Sequence, residues 1–262
     1  MRIIEWSRFL TEGLPGTKNF TAMTIGVFDG IHRGHKALID RVVSHVSSAS
    51  PVVVTFRQNH KKNLQQQHTP LNHRGDIFSF RQKMDSLENL GIALAIVIDF
   101  SESIRHMPGL EFIRILQEHG KMGYLAVGSN FRCGYHLDTD APMIQKINEK
   151  LGIPTDVVEV LSEDSLPISS SRIRSAIAQG NLQEAAAMLG HPYVIDISDA
   201  GDSSAQGVYD LAAQGRILPP PGKYPVRLYE GIRGAGTPTE IQVEQGVIRI
   251  PGSQWEYVEF LI

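Results

Sequence analysis

Residues 22–46 read AMTIGVFDGIHRGHKALIDRVVSHV, and this stretch decides the fold. Residues 22–28 are mostly apolar and predict a buried strand, which is followed by a polar turn with Asp29 and Gly30. Residues 34–46 repeat apolar side chains at the spacing of one helix face, which predicts an amphipathic helix. A buried strand that leads through a turn into a helix is typical of parallel α/β sheets.

The same alternation continues to about residue 190. Further strands are predicted at 51–56, 92–100, 124–127 and 155–160, and helices at 76–90, 109–120, 141–151 and twice within 169–191. Continuous apolar strands separated by helices predict a doubly wound parallel sheet, in which ligands bind at the carboxyl ends of the strands. A site is therefore expected in the loops 29–35, 57–75, 100–108 and 128–138.

The sequence pattern changes after Pro192, where glycine and proline become frequent and helical periodicity ends. Short alternating runs predict strands at 226–229, 240–243, 247–250 and 256–261. We therefore predict an α/β domain at 1–190 and a small antiparallel β domain at 191–262.

Composition excludes several classes of protein. The chain has 262 residues, a net charge of −3 and a single cysteine, Cys133. The charge argues against nucleic-acid partners, and one cysteine excludes a disulfide framework and a cysteine-based zinc site. The start, MRIIEWSRFL, is too interrupted by charge for a signal peptide, and no apolar run approaches the roughly 20 residues of a membrane span. We predict a cytoplasmic protein with small-molecule partners, and the sequence carries no signal for an oligomeric state.

The turn before the predicted helix has the features of a phosphate site. His32 and His35 are three residues apart, so within a helix they share one face. A helix start offers unpaired N–H groups to anions, and Gly26 lets backbone approach a phosphate closely. Two alternatives are ordinary polar histidines and a metal site formed by Asp29, His32 and His35.

Two later stretches have related properties. Residues 168–174 read ISSSRIR, in which serines at a helix start cap the helix or bind anions, and Arg174 offers two donors to a phosphate. Taken alone, this stretch also fits a plain serine cap with a solvated arginine. Residues 127–134 read VGSNFRCG and follow a strand, and their Gly, Ser and Asn residues are also typical of a turn.

These three stretches together resemble bacterial FAD synthetases. GxFDGxHxGH at residues 26–35 is similar to the nucleotidyltransferase signature of that family. ISSSRIR resembles its Ile-Ser-Ser-Thr-x-Ile-Arg, with Ser171 in place of threonine. VGSNFRCG resembles its Val-Gly-x-(Asp/Asn)-Phe-x-Phe-Gly, with Cys133 in place of phenylalanine. The family usually joins an N-terminal FMN adenylyltransferase to a C-terminal riboflavin kinase.

The resemblance implies a Rossmann-like nucleotidyltransferase domain that makes FAD and pyrophosphate from FMN and ATP. It implies a Mg²⁺ ion that bridges phosphates with water and substrate as its main ligands, and no dedicated protein metal site. His32 and His35 are the implied catalytic residues. The implied ATP and phosphate contacts are Gly26, Phe28, Asp29, Gly30, Gly34, Ser170, Ser171 and Arg174. The implied FMN contacts are Asn59, Asn130 and Phe131.

The C-terminal segment departs from the family. Its riboflavin kinase opens with Gly-Arg-x-x-Gly-Phe-Pro-Thr-Ala-Asn, whereas here Gly215-Arg216 runs on without the Pro-Thr-Ala-Asn core. The resemblance thus implies a reduced β-barrel without riboflavin kinase activity. Asn59 also lies in a stretch, TFRQNH, that lacks the family's Pro-His-Pro. A non-catalytic flavin- or nucleotide-binding protein, and a nucleotidyltransferase for another acceptor such as phosphopantetheine or nicotinamide mononucleotide, remain alternatives.

Overall fold

A computed structural model describes residues 1–57, 75–99, 102–199, 207–231, 234–252 and 254–262. The described residues divide into two compact units, and each unit gathers segments that are far apart in sequence. The first lies within Met1–Phe28, Gly34–Gln58 and Met84–Leu161, and the second within Asp29–Arg33, Asn59–Lys83 and Ser162–Ile262. The division into domains at residue 190 stays a prediction.

The strands of the first unit are β1 (Arg2–Glu5), β2 (Thr21–Ile25), β3 (Ser50–Arg57), β4 (Leu94–Asp99), β5 (Met122–Gly128), β6 (Arg132–Cys133), β7 (Thr139–Asp140) and β8 (Thr155–Val158). β6 and β7 pair as a short antiparallel hairpin, and the other six form one parallel sheet in the order β1-β4-β3-β2-β5-β8. Every residue of β2 is buried, including Thr21 and Thr24, as expected for a strand covered on both faces of a parallel sheet.

The helices along the chain are α1 (Trp6–Glu12), α2 (Arg33–Val43), α3 (Phe80–Asn89), α4 (Glu102–Arg105), α5 (Gly109–Gly120), α6 (Ala141–Lys150), α7 (Ser170–Ala178) and α8 (Leu182–Leu189). Parallel strands that alternate with helices confirm the predicted α/β class. None of the helices in the described ranges is long and apolar enough to cross a membrane.

α3 begins at Phe80, whereas the sequence pattern predicts a helix from residue 76. The Oγ of Ser79 accepts a hydrogen bond from the Gln82 N–H at 2.8 Å, so Ser79 caps the helix. The preceding residues are bound elsewhere, because the N–H groups of Ile77 and Phe78 donate to a side chain. A helix from residue 76 would also need the Asp76 main-chain oxygen as an acceptor, but that oxygen accepts from the Ile217 N–H at 3.2 Å in a short β-type pairing.

The second unit carries the antiparallel sheet. Its strands are β9 (Ser162–Glu163), β10 (Leu166–Pro167), β11 (Val194–Asp196), β12 (Val208–Asp210), β13 (Gly222–Tyr229), β14 (Thr237–Val243), β15 (Val247–Arg249) and β16 (Tyr257–Phe260). β9 and β10 form a hairpin, and the other six form one sheet in the order β11-β16-β13-β14-β15-β12. The predicted antiparallel β region is confirmed, with β11 and β12 in addition to the four predicted strands.

Candidate functional site

The turn that opens the candidate phosphate site is a single 3-10 turn, Asp29–Ile31, in the second unit. Gly30 adopts a φ of 79°, in the left-handed region that glycine enters at little cost. A Cβ atom at this position would lie 3.0 Å from the side chain of Ile77. Both the backbone angle and the close packing therefore require a glycine here.

Asp29 holds this turn in place through its buried carboxylate. Its Oδ1 accepts hydrogen bonds from the N–H groups of Ile77 and Phe78, both at 3.0 Å. Its Oδ2 accepts one from Arg174 Nη1 at 2.7 Å. Burial raises the pKa of Asp29, and so does the charge of Asp76, while the Phe78 N–H and Arg174 lower it. Asp29 is thus fully engaged with groups of the protein.

Helix α7 reaches the same turn from the other side. The Oγ of Ser169 accepts from the Arg172 N–H at 3.2 Å, which is an N-cap contact. The next hydroxyl, Ser170 Oγ, donates to the main-chain oxygen of Asp29 at 3.0 Å. Arg174 Nη2 donates to Ser171 Oγ at 3.3 Å. The ISSSRIR stretch therefore both caps a helix and binds the turn.

Arg172 and Arg33 have structural roles that the sequence analysis missed. The guanidinium of Arg172 donates to Glu184 Oε1 at 2.9 Å and to the main-chain oxygens of Glu163 and Leu166 at 2.9 and 3.1 Å. Arg33 forms an ion pair with the Glu163 carboxylate. The partners of Arg172 lie outside its own helix, and Glu163 lies 130 positions from Arg33, so the pattern of residues within one helix does not predict these contacts.

His32 follows the turn and is only 7% exposed. Burial lowers its pKa to about 4, below an ordinary value of 6.5. The imidazole is therefore neutral at pH 7 and offers one N–H donor instead of a fixed positive charge. A neutral donor can still stabilise charge that develops on a phosphate oxygen.

We expect His32 to make the protein sensitive to mild acid. As the pH falls below about 6.5 the unfolded chain binds a proton at this residue, whereas the folded chain resists protonation down to about pH 4. Stability is thus lost across that window. Between about pH 7 and pH 4.5, the free energy of unfolding should fall by about 2–3 kcal/mol less in His32→Asn than in the wild type. Urea unfolding at several pH values measures this, and equal falls would contradict the burial of His32.

Three further residues of the motif at 26–35, namely Gly26, Phe28 and His35, lie in the first unit. Gly26 N–H donates to the Val54 main-chain oxygen at 3.0 Å. A Cβ atom on Gly26 would lie 3.2 Å from the ring of Phe28, which is buried and has a φ of 55°. The Phe28 ring packs 5.1 Å from the imidazole of His35, centroid to centroid. Gly26 thus makes room for the Phe28 ring, and that ring supports His35.

A cavity of about 520 Å³ opens in the first unit at the carboxyl ends of its strands. Its lining residues are Gly26, Val27, Phe56, Ile104, Arg105, Met107, Phe112, Asn130, Phe131, Arg132, Cys133, Gly134 and Leu137. Three of them are phenylalanines, and they come from different segments of the chain. Pockets of roughly 300–1,000 Å³ with apolar walls and a few polar groups suit organic ligands of cofactor size. Of the residues predicted to contact FMN, Asn130 and Phe131 line this cavity, and Asn59 lies outside the described residues.

Asp138 follows the loop at 130–137 and binds the start of α5. Its Oδ1 accepts from the Gly109 N–H at 3.0 Å and from Thr139 Oγ1 at 2.9 Å. Gly134 has a φ of 87°, and a side chain there would collide with Gly109 and Asp138. Burial, and then the charge of Asp138, raise the pKa of the Cys133 thiol to about 12. Cys133 is therefore an apolar wall of the cavity and not a nucleophile.

Across the described ranges, no group of three or more His, Cys, Asp or Glu side chains is arranged to hold a metal ion. Asp29, the acidic member of the metal alternative, already accepts hydrogen bonds from Ile77, Phe78 and Arg174.

Comparison with known proteins shows the family to which the chain belongs. A family model described as FAD synthetase matches residues 15–172. The chain belongs to the FAD synthetase family. Bifunctional riboflavin kinase/FMN adenylyltransferase of Escherichia coli K12 is 30% identical over 176 residues, which cover 66% of this chain and 55% of that protein. The chain thus spans about half the length of this relative.

Other relatives agree with this placement in the FAD synthetase family. FAD synthetase of Listeria monocytogenes is 26% identical over 74% of this chain and 78% of the relative. The bifunctional enzyme of Bacillus subtilis is 28% identical over 82% of this chain and 72% of the relative. The crystal structure of a macrolide-efflux protein from Streptococcus pneumoniae superposes with a TM-score of 0.76 over 99% of this chain and 90% of that one. At 19% identity this last likeness shows the fold alone.

The residues that resemble the FAD synthetase motifs fall into two groups. In the second unit, Asp29, Ser170, Ser171 and Arg174 are joined by hydrogen bonds. In the first unit, Gly26, Asn130 and Phe131 line one cavity. Sequence reasoning missed Ile77 and Phe78, whose main-chain N–H groups hold Asp29, because a main-chain donor has no sequence signature.

Proposed function

We propose that this member of the FAD synthetase family is an FMN adenylyltransferase. A phosphate oxygen of FMN attacks the α-phosphorus of ATP and forms a new P–O bond. The bond between the α-phosphorus and the bridging oxygen of the β-phosphate breaks, and pyrophosphate leaves. Because the attacking phosphate oxygen is already anionic at pH 7, the reaction needs positioning and charge stabilisation more than a general base.

The observation that carries this proposal is the aromatic cavity at the end of β2. Residues of two family motifs line it together, namely Gly26 and Val27 from one and Asn130 and Phe131 from the other. Flat aromatic ligands favour stacking on phenylalanine rings within a desolvated pocket. The cavity is therefore the proposed site of the flavin ring, and Asn130 is its proposed polar contact.

The proposed phosphate contacts are the turn at Asp29–Ile31, the start of α2 and the start of α7. His32 and His35 donate to oxygens of the transferring and leaving phosphates. Ser170, Ser171 and Arg174 bind the β- and γ-phosphates, and Arg174 can do so with two donors. Gly30 and Gly34 let backbone N–H groups approach the phosphates. In support of these roles, Ser170 and Arg174 are both hydrogen-bonded to the buried Asp29, so their side chains lie together beside the turn.

Asp29 is proposed as a positioning residue. Its carboxylate accepts hydrogen bonds from Arg174 Nη1 at 2.7 Å and from the N–H groups of Ile77 and Phe78. It therefore orients both the guanidinium and the turn. A bidentate guanidinium binds phosphate well only when its plane is fixed, and Asp29 supplies that constraint.

Magnesium is the proposed metal, bound through the phosphates of ATP and water. Bound in this way, it neutralises negative charge on the phosphate oxygens. Asp29 is committed to protein donors, and the residues proposed around the phosphates are otherwise donors, which fits a metal carried by its substrate. The partners proposed are ATP, FMN and FAD, in the cytoplasm, without nucleic acid or membrane.

The segment that aligns with the kinase motif supports the absence of riboflavin kinase activity. Arg216 is buried and forms an ion pair with Asp199 at 2.9 Å, and its Nη1 donates to the Gln214 main-chain oxygen at 3.2 Å. Gly215 accepts a hydrogen bond from the Asp76 N–H at 2.7 Å. Gly215 and Arg216, the retained part of the kinase motif, thus bind other groups of the protein. The Pro-Thr-Ala-Asn core is missing from the sequence.

Product analysis tests the proposal. We expect chromatography to show FAD when the protein is incubated with ATP, Mg²⁺ and FMN, and no FMN when riboflavin replaces FMN. FMN formed from riboflavin would show that residues 191–262 retain kinase activity. A folded protein that forms no FAD would contradict the proposal. Flavin binding without turnover would then favour a sensing protein, and turnover of another phosphorylated acceptor would favour a related nucleotidyltransferase.

A further inference from the structure

The antiparallel sheet of the second unit is joined to the Asp29 turn by residues 75–78, a segment we call the connecting segment. We propose that the sheet, through this segment, positions Arg174 for ATP, so that ATP binding depends on residues after 190. This inference rests on the proposed function, which supplies the ATP. It gives the C-terminal region a role in the adenylyl transfer itself.

The first link is a short backbone pairing. The Asp76 N–H donates to the Gly215 main-chain oxygen at 2.7 Å, and the Ile217 N–H donates to the Asp76 main-chain oxygen at 3.2 Å. Gly75 enters this pairing with a φ of 133°. A Cβ atom on Gly75 would lie 2.7 Å from the Ile217 nitrogen and 2.8 Å from the Arg216 carbonyl carbon. The two backbones are therefore too close for any side chain at this position.

The second link runs from the connecting segment to the phosphate site. Ile77 and Phe78 directly follow the paired Asp76, and their N–H groups bind the carboxylate of Asp29. The other carboxylate oxygen binds Arg174, which lies 145 positions away in sequence. A shift of the connecting segment would thus move the acceptor that orients the guanidinium of Arg174.

The third link holds the other strand of the pairing to the sheet. The hydroxyl of Tyr193 donates to the Ile217 main-chain oxygen at 2.6 Å, and the Tyr193 side chain is buried. Its ring stacks on Phe260 of β16, with the centroids 5.6 Å apart. Hydrogen bonds thus connect Tyr193 to Ile217, Ile217 to Asp76 and, through the neighbouring Ile77 N–H, the connecting segment to Asp29 and Arg174. All of these residues lie inside the second unit.

Tyr193→Phe tests the third link with little change in volume. Removal of the hydroxyl leaves the Ile217 oxygen without its donor and loosens the pairing. We expect the KM for ATP, and its dissociation constant measured by calorimetry, to rise about 5- to 10-fold, with the KM for FMN unchanged. Tyr224→Phe is the matched control. It also removes a tyrosine–carbonyl hydrogen bond in this sheet, to Pro220 at 2.8 Å, but one that is not part of the connection.

Gly75→Ala tests the first link, and Gly152→Ala is its control. Gly152 also has a positive φ, of 68°, but a Cβ atom there meets nothing within 4 Å. We expect ATP affinity to fall more than about 10-fold in Gly75→Ala and to stay near the wild-type value in Gly152→Ala.

The outcomes separate this inference from the proposed function. Wild-type ATP affinity in folded Tyr193→Phe and Gly75→Ala would overturn the inference, whether or not the wild type makes FAD. An equal rise in the KM values for ATP and FMN would also overturn it, because general loosening of the fold would then explain both. A wild type that binds no ATP would contradict both proposals. Selective loss of ATP affinity supports the inference even if the acceptor proves not to be FMN.

Discussion

His32→Ala is expected to lower the turnover number for FAD formation by about 10²- to 10³-fold, the usual loss when one preorganised donor to a developing charge is removed. His32 is buried beside the turn, and burial keeps its imidazole neutral at pH 7. A desolvated donor interacts more strongly with a charged oxygen than one in water. Its loss should therefore affect the rate more than the KM for either substrate.

The measurement is steady-state FAD formation by chromatography, with folding checked by thermal unfolding. His45→Ala is the matched control, because its imidazole follows the C-terminal end of α2, whereas His32 precedes the start of that helix, and it stacks on Tyr124 with ring centroids 3.9 Å apart. We expect it to keep the wild-type turnover. Equal activity of His32→Ala and wild type would remove His32 from the proposed mechanism.

Asp29→Ala is expected to lower the free energy of unfolding by about 3–5 kcal/mol, the usual loss when one partner of a buried ion pair is removed. The Asp29 side chain is 4% exposed and that of Arg174 is 22% exposed, so solvent screens the pair poorly. The substitution also leaves the N–H groups of Ile77 and Phe78 without an acceptor. The variant therefore leaves the charge of Arg174 without a counterion and two N–H groups without an acceptor, and together these effects account for the size of the loss.

Urea unfolding at pH 7 measures this loss. The control is Glu240→Ala, which removes an exposed ion pair with Lys223 and should change stability very little. The double variant Asp29→Ala/Arg174→Ala should be less destabilised than the sum of the two single variants, because each loss includes the cost of the stranded partner. An additive pair, or a small effect of Asp29→Ala, would contradict the contact.

The elements that the sequence predicts best are those whose pattern is purely local. α5 matches the predicted helix at 109–120 because Pro108 precedes it and its apolar face has a clear helical period. The sequences of β1 and α1 show no clear periodicity, because Arg2, Glu5 and Arg8 interrupt the apolar residues. There, burial of individual side chains by long-range packing decides the structure.

The same distinction applies to the candidate site. Motif spacing indicates His32 and Arg174 as phosphate ligands, but it carries no information on burial, so the neutral state of His32 follows only from the structure. Arg172 and Arg174 belong to one helix, yet Arg172 pairs with Glu184 and Arg174 with Asp29. Which arginine faces the turn depends on packing between elements, with Asp29 lying 145 positions from Arg174, and a single sequence does not reveal it.

The second unit combines segments that are far apart in the chain. This arrangement affects the order in which parts of the protein can fold during synthesis. Asp29 emerges from the ribosome early, but its partner Arg174 follows 145 residues later. At the usual rate of synthesis this delay is on the order of ten seconds. Throughout that interval the Asp29–Ile31 turn lacks Arg174 and Ser170, whereas β2 and β3 can pair once residue 57 has been made. We therefore expect the parallel sheet to begin forming during translation and this turn to mature only after residue 174 has been made.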